Sequence, residues 1–385
     1  MQKLSLFPST MWSGLPLDLL ANIFSFLSPD SLARARSACK HWHECVDTRP
    51  SCTEPISSPC HPSWFIALPL RAHKLCFAHN PLLDNWHRLS LEFLPELVKS
   101  ISPVGSLLLL RSISSVVLQL VICNPFTCQF QYLPKPNIAR TNPAVGVVIQ
   151  NTGQNSQFPD FMIYVAGGMS EAPKGGTMYE SKLEMYDSRN NSWRIVGSMP
   201  VEFSVRLTVW TQNESVYSNG VLYWITSARA FSVMGFEIDS NICRELQVPM
   251  ADRLEFASLT CRNGRLALVG GICGEDACVW ELGDGDMWVL VETVPNDLGI
   301  KLLGGCNRSW INTKCVGNNE VMCLYKELGS GMVIWREIKE INKREWVWVE
   351  GCSSIRGKRV HNLPIKGLLL HPSLAPFASY SNYTP

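Results

Sequence analysis

Cysteine and histidine side chains are concentrated between residues 39 and 61, where their chemistry would suit a zinc ion. The residues are Cys39, His41, His43, Cys45, Cys52, Cys60 and His61. Structural zinc sites use paired ligand spacings, and no Cys-x-x-Cys pair occurs in this sequence. On a helix, the Cys39/His43 and His41/Cys45 pairs would point to different sides. We therefore predict no metal site and no cofactor, and expect these side chains to be reduced.

Motifs of catalysis and nucleotide binding are absent from the sequence. It contains no nucleophile elbow, Walker loop, dinucleotide-binding fingerprint or metalloprotease helix. The later histidines, His73, His79, His87, His361 and His371, are isolated from one another. Each is more typical of a turn or surface position than of a general base. We therefore expect no catalytic residue and a non-catalytic protein.

Composition limits the partners and the compartment. The 385 residues carry a formal net charge of +1, with Lys and Arg scattered along the chain. This balance argues against binding to nucleic acid or to an anionic membrane surface. The fifteen cysteines are odd in number and lie mostly in apolar runs, as expected for thiols in a reducing compartment. The first ten residues lack the features of a signal or transit peptide, so we expect a soluble intracellular protein of the cytoplasm, the nucleus or both.

Residues 10–48 have the pattern of a small all-α module. Apolar residues recur at helical spacing from Leu15 to Leu27, Pro16 suits a first helical turn, and Ser28-Pro29-Asp30 separates a second helix. This order, with its Leu-Pro start and closing Cys-Lys-x-Trp, resembles the F-box. The resemblance implies docking onto a Skp-type adaptor of a cullin ubiquitin ligase. The implied adaptor-binding residues are Leu15, Pro16, Leu20, Ile23, Phe24, Leu27, Leu32 and Trp42. A helical cap that packs on its own C-terminal domain is the alternative.

Residues 49–63 are predicted to form a Pro/Ser/Cys-rich linker. From residue 64 to residue 377, the sequence consists of short runs of β-branched and aromatic residues, which predicts β-strands. Three Asn or Asp turns each precede an aromatic residue by six positions: Asn80 before Trp86, Asn124 before Phe130 and Asp187 before Trp193. Recurrence of this kind predicts a β-propeller with blades of about 40–50 residues. We expect about six blades, with seven possible, ring closure by residues 367–370 against 64–68, and a frayed tail at 378–385.

Two of the repeated units carry further detail. A strand ends at Gly167-Gly168 and another at Gly270-Gly271, and each is followed by an aromatic strand and then by a Trp. This pattern resembles the kelch repeat, in which the glycines permit a crowded strand exit and the aromatic side chain fills the space between blades. Together with the helical module, it resembles the plant-type F-box/kelch-repeat family.

The kelch resemblance implies that loops after the Gly pair and loops leading into the next innermost strand share one binding face. It assigns a substrate-binding role to Phe203, Arg206, Arg229, Phe231, Arg253, Glu255, Glu275 and Asp276. Some kelch propellers are copper oxidases, but the few tyrosines here, such as Tyr164, Tyr186 and Tyr223, lie inside strands. We therefore predict a substrate-recognition adaptor that binds an unidentified protein. A scaffold or transcriptional co-regulator without a ligase is the alternative.

Overall fold

The computed structural model describes residues 62–71, 74–150, 160–304, 309–338, 343–355 and 357–373. It also describes the N-terminal positions 15, 16, 19, 20, 23, 24, 27, 35, 38, 40 and 42, and the backbone alone of 212–214. The Cys and His residues at 39, 41, 43, 45, 52, 60 and 61, the predicted docking residue Leu32 and the tail at 378–385 lie outside the described residues. Among the described residues, no helix combines the length and the apolar character needed to span a bilayer.

The N-terminal residues are helical at 19–20, 23–24, 35, 38, 40 and 42. Leu20, Phe24 and Ala35 are buried against one another, with Leu15, Leu27 and Trp42 packed around them. The rings of Phe24 and Trp42 meet edge to face, with centroids 5.3 Å apart. The Leu20 amide donates to the Pro16 carbonyl at 3.1 Å, which is consistent with Pro16 in the first turn. The all-α character predicted for this segment is confirmed at these positions.

The rest of the described chain contains six four-stranded antiparallel sheets, together with two two-stranded hairpins and two α-helices. Blade 1 contains β1 (Trp64–Pro69), β2 (Leu75–Asn80) and β3 (Asn85–Ser90). Blade 2 contains β4 (Val98–Val104), β5 (Leu107–Ser112), β6 (Leu120–Asn124) and β7 (Gln129–Tyr132). Blade 3 contains β8 (Ala144–Gln150) and β9 (Asp160–Ala166), then the hairpin of β10 (Met169–Glu171) and β11 (Thr177–Tyr179), and finally β12 (Lys182–Asp187) and β13 (Ser192–Ser198).

Helix α1 (Val201–Val209) leads from blade 3 into blade 4, which contains β14 (Thr211–Ser218), β15 (Val221–Ser227), β16 (Phe231–Glu237) and β17 (Ile242–Gln247). Blade 5 contains β18 (Leu254–Arg262), β19 (Arg265–Ile272), β20 (Cys278–Leu282) and β21 (Trp288–Thr293), with a 3-10 turn at Asp284–Asp286. Helix α2 (Asn296–Leu303) leads into blade 6, which contains β22 (Lys314–Gly317), β23 (Val321–Tyr325), β24 (Met332–Ile338) and β25 (Lys343–Val349). The hairpin of β26 (Ser354–Ile355) and β27 (Lys358–Arg359) and the final strand β28 (Ile365–Leu370) follow.

The sheets close into a ring. The innermost strands are β4, β8, β14, β18, β22 and β28, and each contacts the next, including β28 with β4. Strand β28 pairs antiparallel with β1, with Trp64 opposite Leu370 and Ile66 opposite Leu368. Blade 1 is therefore completed by the end of the chain, and β1 is not left as the edge of its sheet. The predicted propeller is confirmed, with six of the six or seven blades expected, and so is its closure by both ends.

Antiparallel strands fix which connections share a face of the ring. Because successive strands run in opposite directions, the connections from the second to the third strand of a blade and from the fourth strand to the next blade lie on one side. We call this side the upper face. It carries α1, α2 and the hairpins β10–β11 and β26–β27. The remaining turns form the lower face, where β1 begins and β28 ends.

Tryptophan side chains on the outermost strands join neighbouring blades. In four blades, the indole Nε1 donates a hydrogen bond to the preceding blade: Trp86 to the Glu350 carbonyl at 3.0 Å, Trp193 to the Pro134 carbonyl at 2.7 Å, Trp288 to the Gln247 carbonyl at 2.7 Å, and Trp346 to Glu292 Oε1 at 3.0 Å. A buried indole N–H needs such an acceptor. The recurring aromatic position predicted from the sequence is thus an interblade contact.

The two Gly pairs are required for different reasons. Gly167 and Gly168 have positive φ angles of 62° and 89°, a conformation that favours glycine. Gly271 has no such angle, but a Cβ there would lie 2.4 Å from Cγ of Trp310. The predicted crowding at these strand exits is confirmed.

Candidate functional site

The upper face of blades 3, 4 and 5 brings together the residues predicted to bind substrate. Phe203 and Arg206 lie on α1. Arg229 lies in the turn between β15 and β16, and Phe231 is the first residue of β16. Arg253 and Glu255 lie at the entry to β18, and Glu275 and Asp276 lie in the turn between β19 and β20. Residues from four separate chain segments therefore share one side of the ring.

Helix α1 presents Arg206 near blade 4. Its guanidinium forms an ion pair with Glu245 of β17 and also contacts Ser232 Oγ at 3.4 Å. Phe203 is half-buried and packs against the apolar cluster that includes Leu183 and Met199. Arg206 is thus already engaged within the protein, and Phe203 is less accessible than an exposed anchor would be.

The turn at residues 228–230 leaves Arg229 exposed. Within the described residues, this guanidinium has no carboxylate partner within ion-pair distance. Phe231 is half-buried, because it packs against the cluster of blades 4 and 5, and its amide donates to the Ala251 carbonyl at 3.3 Å. Of these two residues, Arg229 is the one available to a partner.

Blade 5 holds its three acidic candidates in different ways. Glu275 is exposed and forms an ion pair with Arg253 at 2.5 Å. Asp276 is half-buried in the same turn. Glu255 accepts hydrogen bonds from the Trp310 amide at 2.5 Å and from Ser309 Oγ at 3.1 Å. Glu255 therefore anchors the segment after α2, while the Arg253–Glu275 pair remains on the surface.

Trp210 is an exposed residue on this face that the sequence reasoning missed. It follows α1 directly, its side chain is 43% exposed, and its carbonyl accepts the Ser227 amide at 3.1 Å beside the Arg229 turn. Tryptophan and arginine are the residue types most enriched among interface hot spots. The end of an amphipathic nine-residue helix before a strand was the available signal. We call Trp210, Arg229, Arg253 and Glu275 the upper-face patch.

A buried ion pair joins the segment that enters blade 3 to strand β12. Arg140, in the segment between β7 and β8, donates to Glu184 Oε2 at 2.6 Å, and both side chains are fully buried. Arg140 also donates to the Gly167 and Lys182 carbonyls at 3.1 and 2.9 Å. The segment entering blade 3 is thereby tied to the Gly-Gly strand exit.

Cys76, Cys352 and Cys273 are poor candidates for nucleophilic chemistry. Burial raises the pKa of the Cys76 thiol to about 12 and that of Cys352 to about 11. The carboxylate of Glu255 raises the pKa of the exposed Cys273 thiol. Raised pKa values keep a thiol protonated, and only the thiolate is a good nucleophile or metal ligand. Among the described residues, no group of three or more His, Cys, Asp or Glu side chains is arranged to hold a metal ion.

The N-terminal module separates its predicted docking residues into two groups. Leu20 and Phe24 are buried inside the module, and Leu15, Leu27 and Trp42 are half-buried around them. Pro16 is exposed, and Ile23 is 41% exposed. Leu19, one turn before Ile23, is 49% exposed. Leu19 and Ile23 form what we call the exposed helical strip.

Comparisons with known proteins agree with both parts of the chain. The F-box-like family model matches residues 12–51, and the Kelch motif model matches residues 162–200, which span most of blade 3. The chain is 23% identical to F-box only protein 6 of Arabidopsis thaliana over 94% of this chain and 74% of that protein. It is 25% identical to an F-box/kelch-repeat protein of the same plant over 90% of this chain and 84% of that one.

A solved structure, TolB from Acinetobacter baumannii, matches with a TM-score of 0.44 and 8% identity, covering 80% of this chain and 66% of that one; this likeness is too distant to carry an argument. The F-box-like segment, the kelch unit in blade 3 and the two similarities over 90% or more of this chain agree with one another. In both parts, the chain is therefore similar to plant F-box/kelch-repeat proteins.

Proposed function

We propose that this protein is the substrate-recognition adaptor of a Skp/cullin/F-box ubiquitin ligase. In this proposal, the N-terminal module binds a Skp-type adaptor, and the propeller binds the protein that is to be ubiquitinated. The observation that carries the proposal is the exposed helical strip, because it lies in a segment matched by the F-box-like model. Exposed apolar side chains that adjoin a small buried cluster are typical of a protein-binding surface.

The described contacts of the module support an external partner. Leu20 and Phe24 pack against residues of the module itself, which gives the helices a core of their own. Leu19 and Ile23 remain at the surface beside this core. The buried residues therefore hold the helices together, and the exposed residues are available to the Skp-type adaptor.

The propeller contributes a separate surface. The chain enters the ring at Trp64 and leaves it after Leu370, and these two residues are paired at the lower face. The upper-face patch lies on the opposite side of the ring. A substrate bound at the patch would be held near the ligase without any covalent chemistry from this chain. Such tethering raises the effective concentration of a reactive group and makes the encounter intramolecular.

Co-purification of the full chain with a Skp-type adaptor tests the first part of the proposal. The variant Leu19→Asp with Ile23→Asp places charge on the exposed strip and is expected to reduce adaptor capture at least about tenfold, because a buried unpaired carboxylate at an interface costs well over 1.4 kcal/mol. Ala38→Asp is the matched control, since Ala38 is another exposed helical position of the module. Equal capture of the strip variant and the wild type would exclude the strip as the docking surface.

Proximity labelling with the full chain tests the second part. Trp210→Ala with Arg229→Glu should remove a specific subset of labelled proteins while adaptor capture is retained. Arg265→Glu is the control, because Arg265 is exposed at the start of β19, next to a lower-face turn. If the labelled proteins are the same for all three chains, the upper-face patch does not recruit substrate. If wild type never captures the adaptor yet labels patch-dependent partners, a scaffold without a ligase becomes the better description.

A further inference from the structure

Basic side chains surround part of the channel mouth at the upper face. Lys314 is the first residue of β22, Lys366 is the second residue of β28, and Lys99 is the second residue of β4. These are three consecutive innermost strands of the ring. Arg111 of β5 lies directly opposite Lys99 in the strand register. Blades 6, 1 and 2 therefore each bring at least one cation to the same end of the channel.

Contacts between the strands bring these cations close together. Nζ of Lys314 donates to the Ile365 carbonyl at 2.7 Å, next to Lys366. Nζ of Lys366 donates to the Ile101 carbonyl at 3.1 Å, two residues beyond Lys99. Lys366 is only 8% exposed, so its positive charge acts from within the protein, where solvent screens it weakly. The lysines thus join the strands and concentrate positive charge at the mouth.

Lys99 and Arg111 are the cations of this group whose positive charge is least neutralised by other groups of the protein. Within the described residues, neither forms an ion pair with an acidic side chain. Partial desolvation of its ammonium group, followed by the positive charges of Lys366 and Arg111, lowers the pKa of Lys99, and desolvation by burial lowers that of Arg111. Like charges that are held close together repel each other, and a bound anion relieves this repulsion. Lys99 is exposed and Arg111 is half-buried, so both can be reached from the upper face.

The other half of the mouth differs in charge. The innermost strands of blades 3 and 4 begin with the uncharged residues Ala144 and Thr211. Blade 5 supplies Glu255, which is engaged by Ser309 and Trp310. At this end of the innermost strands, the positively charged side chains thus lie on blades 6, 1 and 2, whereas the upper-face patch lies on blades 3 to 5. A ligand that crosses the mouth of the channel would contact both these basic side chains and the upper-face patch.

We propose that Lys99 and Arg111, with Lys366 behind them, bind an acidic segment of the protein substrate at the mouth of the channel. This proposal rests on the proposed function, because it names the chemical class of the substrate. Carboxylates spaced along a peptide match cations that are spread over separate strands. Sites for a small free anion use converging backbone N–H groups, whereas the main-chain groups beside these lysines are carbonyls. An acidic peptide therefore fits the mouth better than free phosphate does.

Fluorescence anisotropy with the full chain tests the proposal, with a labelled oligoglutamate peptide as the probe and an oligoglutamine peptide as the neutral comparison. The wild type should bind oligoglutamate more tightly than oligoglutamine and lose affinity as salt rises, since exposed charges are screened over about 8 Å at physiological ionic strength. Lys99→Glu and Arg111→Glu should each weaken oligoglutamate binding at least about tenfold, as expected for losing a charge pair and adding a repulsion. Arg265→Glu reverses a charge at the lower face and should leave binding unchanged. Lys99→Gln removes the charge without reversing it and should give an intermediate loss of affinity for oligoglutamate. Because Lys99 is exposed, this variant should fold normally.

Three results would overturn the proposal. They are equal binding of the two peptides, unchanged binding by Lys99→Glu and Arg111→Glu, and displacement of oligoglutamate by an equal concentration of inorganic phosphate. The last result would indicate a small-anion site instead. Adaptor capture is measured on the same proteins, and it should be equal for wild type, Lys99→Glu and Arg265→Glu. Loss of adaptor capture with intact peptide binding would reject the ligase assignment and retain the acidic-segment site.

Discussion

At the scale of single residues, buried charges distinguish structural positions from accessible ones. Arg140 and Glu184 are both fully enclosed and share five polar contacts with neighbouring main-chain groups and each other. Arg206 and Glu245 form an ion pair at the surface, where each side chain keeps more than a third of its exposure. Solvent screens the second pair but not the first. The same two residue types therefore have very different energetic importance in the two places.

Glu184→Ala is expected to destabilise the protein by about 3–5 kcal/mol, because it leaves the Arg140 guanidinium buried without its counter-charge. Glu245→Ala removes the carboxylate of the exposed pair and is expected to cost about 0–1 kcal/mol. Chemical denaturation monitored by tryptophan fluorescence measures both. Similar losses for the two variants would contradict the distinction.

His79 gives the protein a pH-dependent stability. Its ring is buried in β2, Nε2 lies 3.0 Å from Asp84 Oδ1, and burial lowers its pKa below the ordinary 6.5 despite the nearby carboxylate. The unfolded chain then takes up a proton at a higher pH than the folded chain does. The stability due to neutral His79 is therefore present above pH 6.5 and declines as the pH falls through and below that value.

His79→Gln keeps a polar group near Asp84 but does not titrate. We expect its unfolding free energy to fall less steeply than that of the wild type between about pH 7 and pH 5. Urea unfolding at a series of pH values measures the two slopes. Parallel curves for the two proteins would show that His79 does not carry the effect.

At the scale of elements, the connections between blades are fitted to the strand exits. Trp310, which follows α2, packs over Gly271 at the end of β19 and donates through Nε1 to the Glu275 carbonyl at 2.9 Å. The same indole lies beside Gly299 within α2, where an added Cβ would find ordinary contact at 3.5 Å. One tryptophan thus joins a helix, a strand exit and a turn of the upper-face patch.

Gly271→Ala should destabilise the protein by about 1–3 kcal/mol, because the new methyl group overlaps the Trp310 ring. Gly299→Ala is the matched control and should be neutral or stabilising by up to about 1 kcal/mol, since alanine favours helix and the space accepts it. Thermal unfolding of both variants provides the comparison. A Gly271→Ala protein as stable as the wild type would show that the indole moves aside at little cost.

At the scale of the whole molecule, the fold depends on a pairing between residues 302 positions apart, since Ile66 lies opposite Leu368 in the β1–β28 register. All six paired positions of each strand are buried. Gly367 sits where a Cβ would meet the rings of Phe65 and Tyr325 at 2.6 and 2.7 Å. Strand β28 also supplies Lys366 to the channel mouth. Ring closure and the proposed acidic-segment site therefore involve the same strand.

A chain that ends before Ile365 lacks β28 and is expected to lose cooperative folding, because β1 becomes an open, apolar sheet edge. A chain that ends at Ser373 keeps β28 and the hydrogen bond from Asn124 Nδ2 to the Ser373 carbonyl at 2.9 Å, and serves as the control. Calorimetry should show a single transition for the control and none for the shorter chain. A single transition in both would mean that the ring does not need its closing strand.

The sequence alone determined the class of each part of the protein. Local patterns were sufficient for this, because helical spacing around Leu20 and Phe24, turns such as Asn80 and Asp187, and the Gly-Gly strand ends each depend on residues near one another in the chain. The repeat predicted the ring, its blade number of about six, and its closure by residues 367–370.

The tertiary structure alone decided which side chains face a partner. Leu20 and Leu19 are adjacent apolar residues, yet one is buried and the other is 49% exposed. Arg206 and Arg229 are alike in sequence, but only Arg206 has a carboxylate partner in the described chain. Lys99, Arg111 and Lys366 are scattered basic residues until the strand register and the closure of the ring bring them to one end of the channel. The physical reason is that exposure, charge pairing and clustering depend on long-range contacts, which local spacing does not encode.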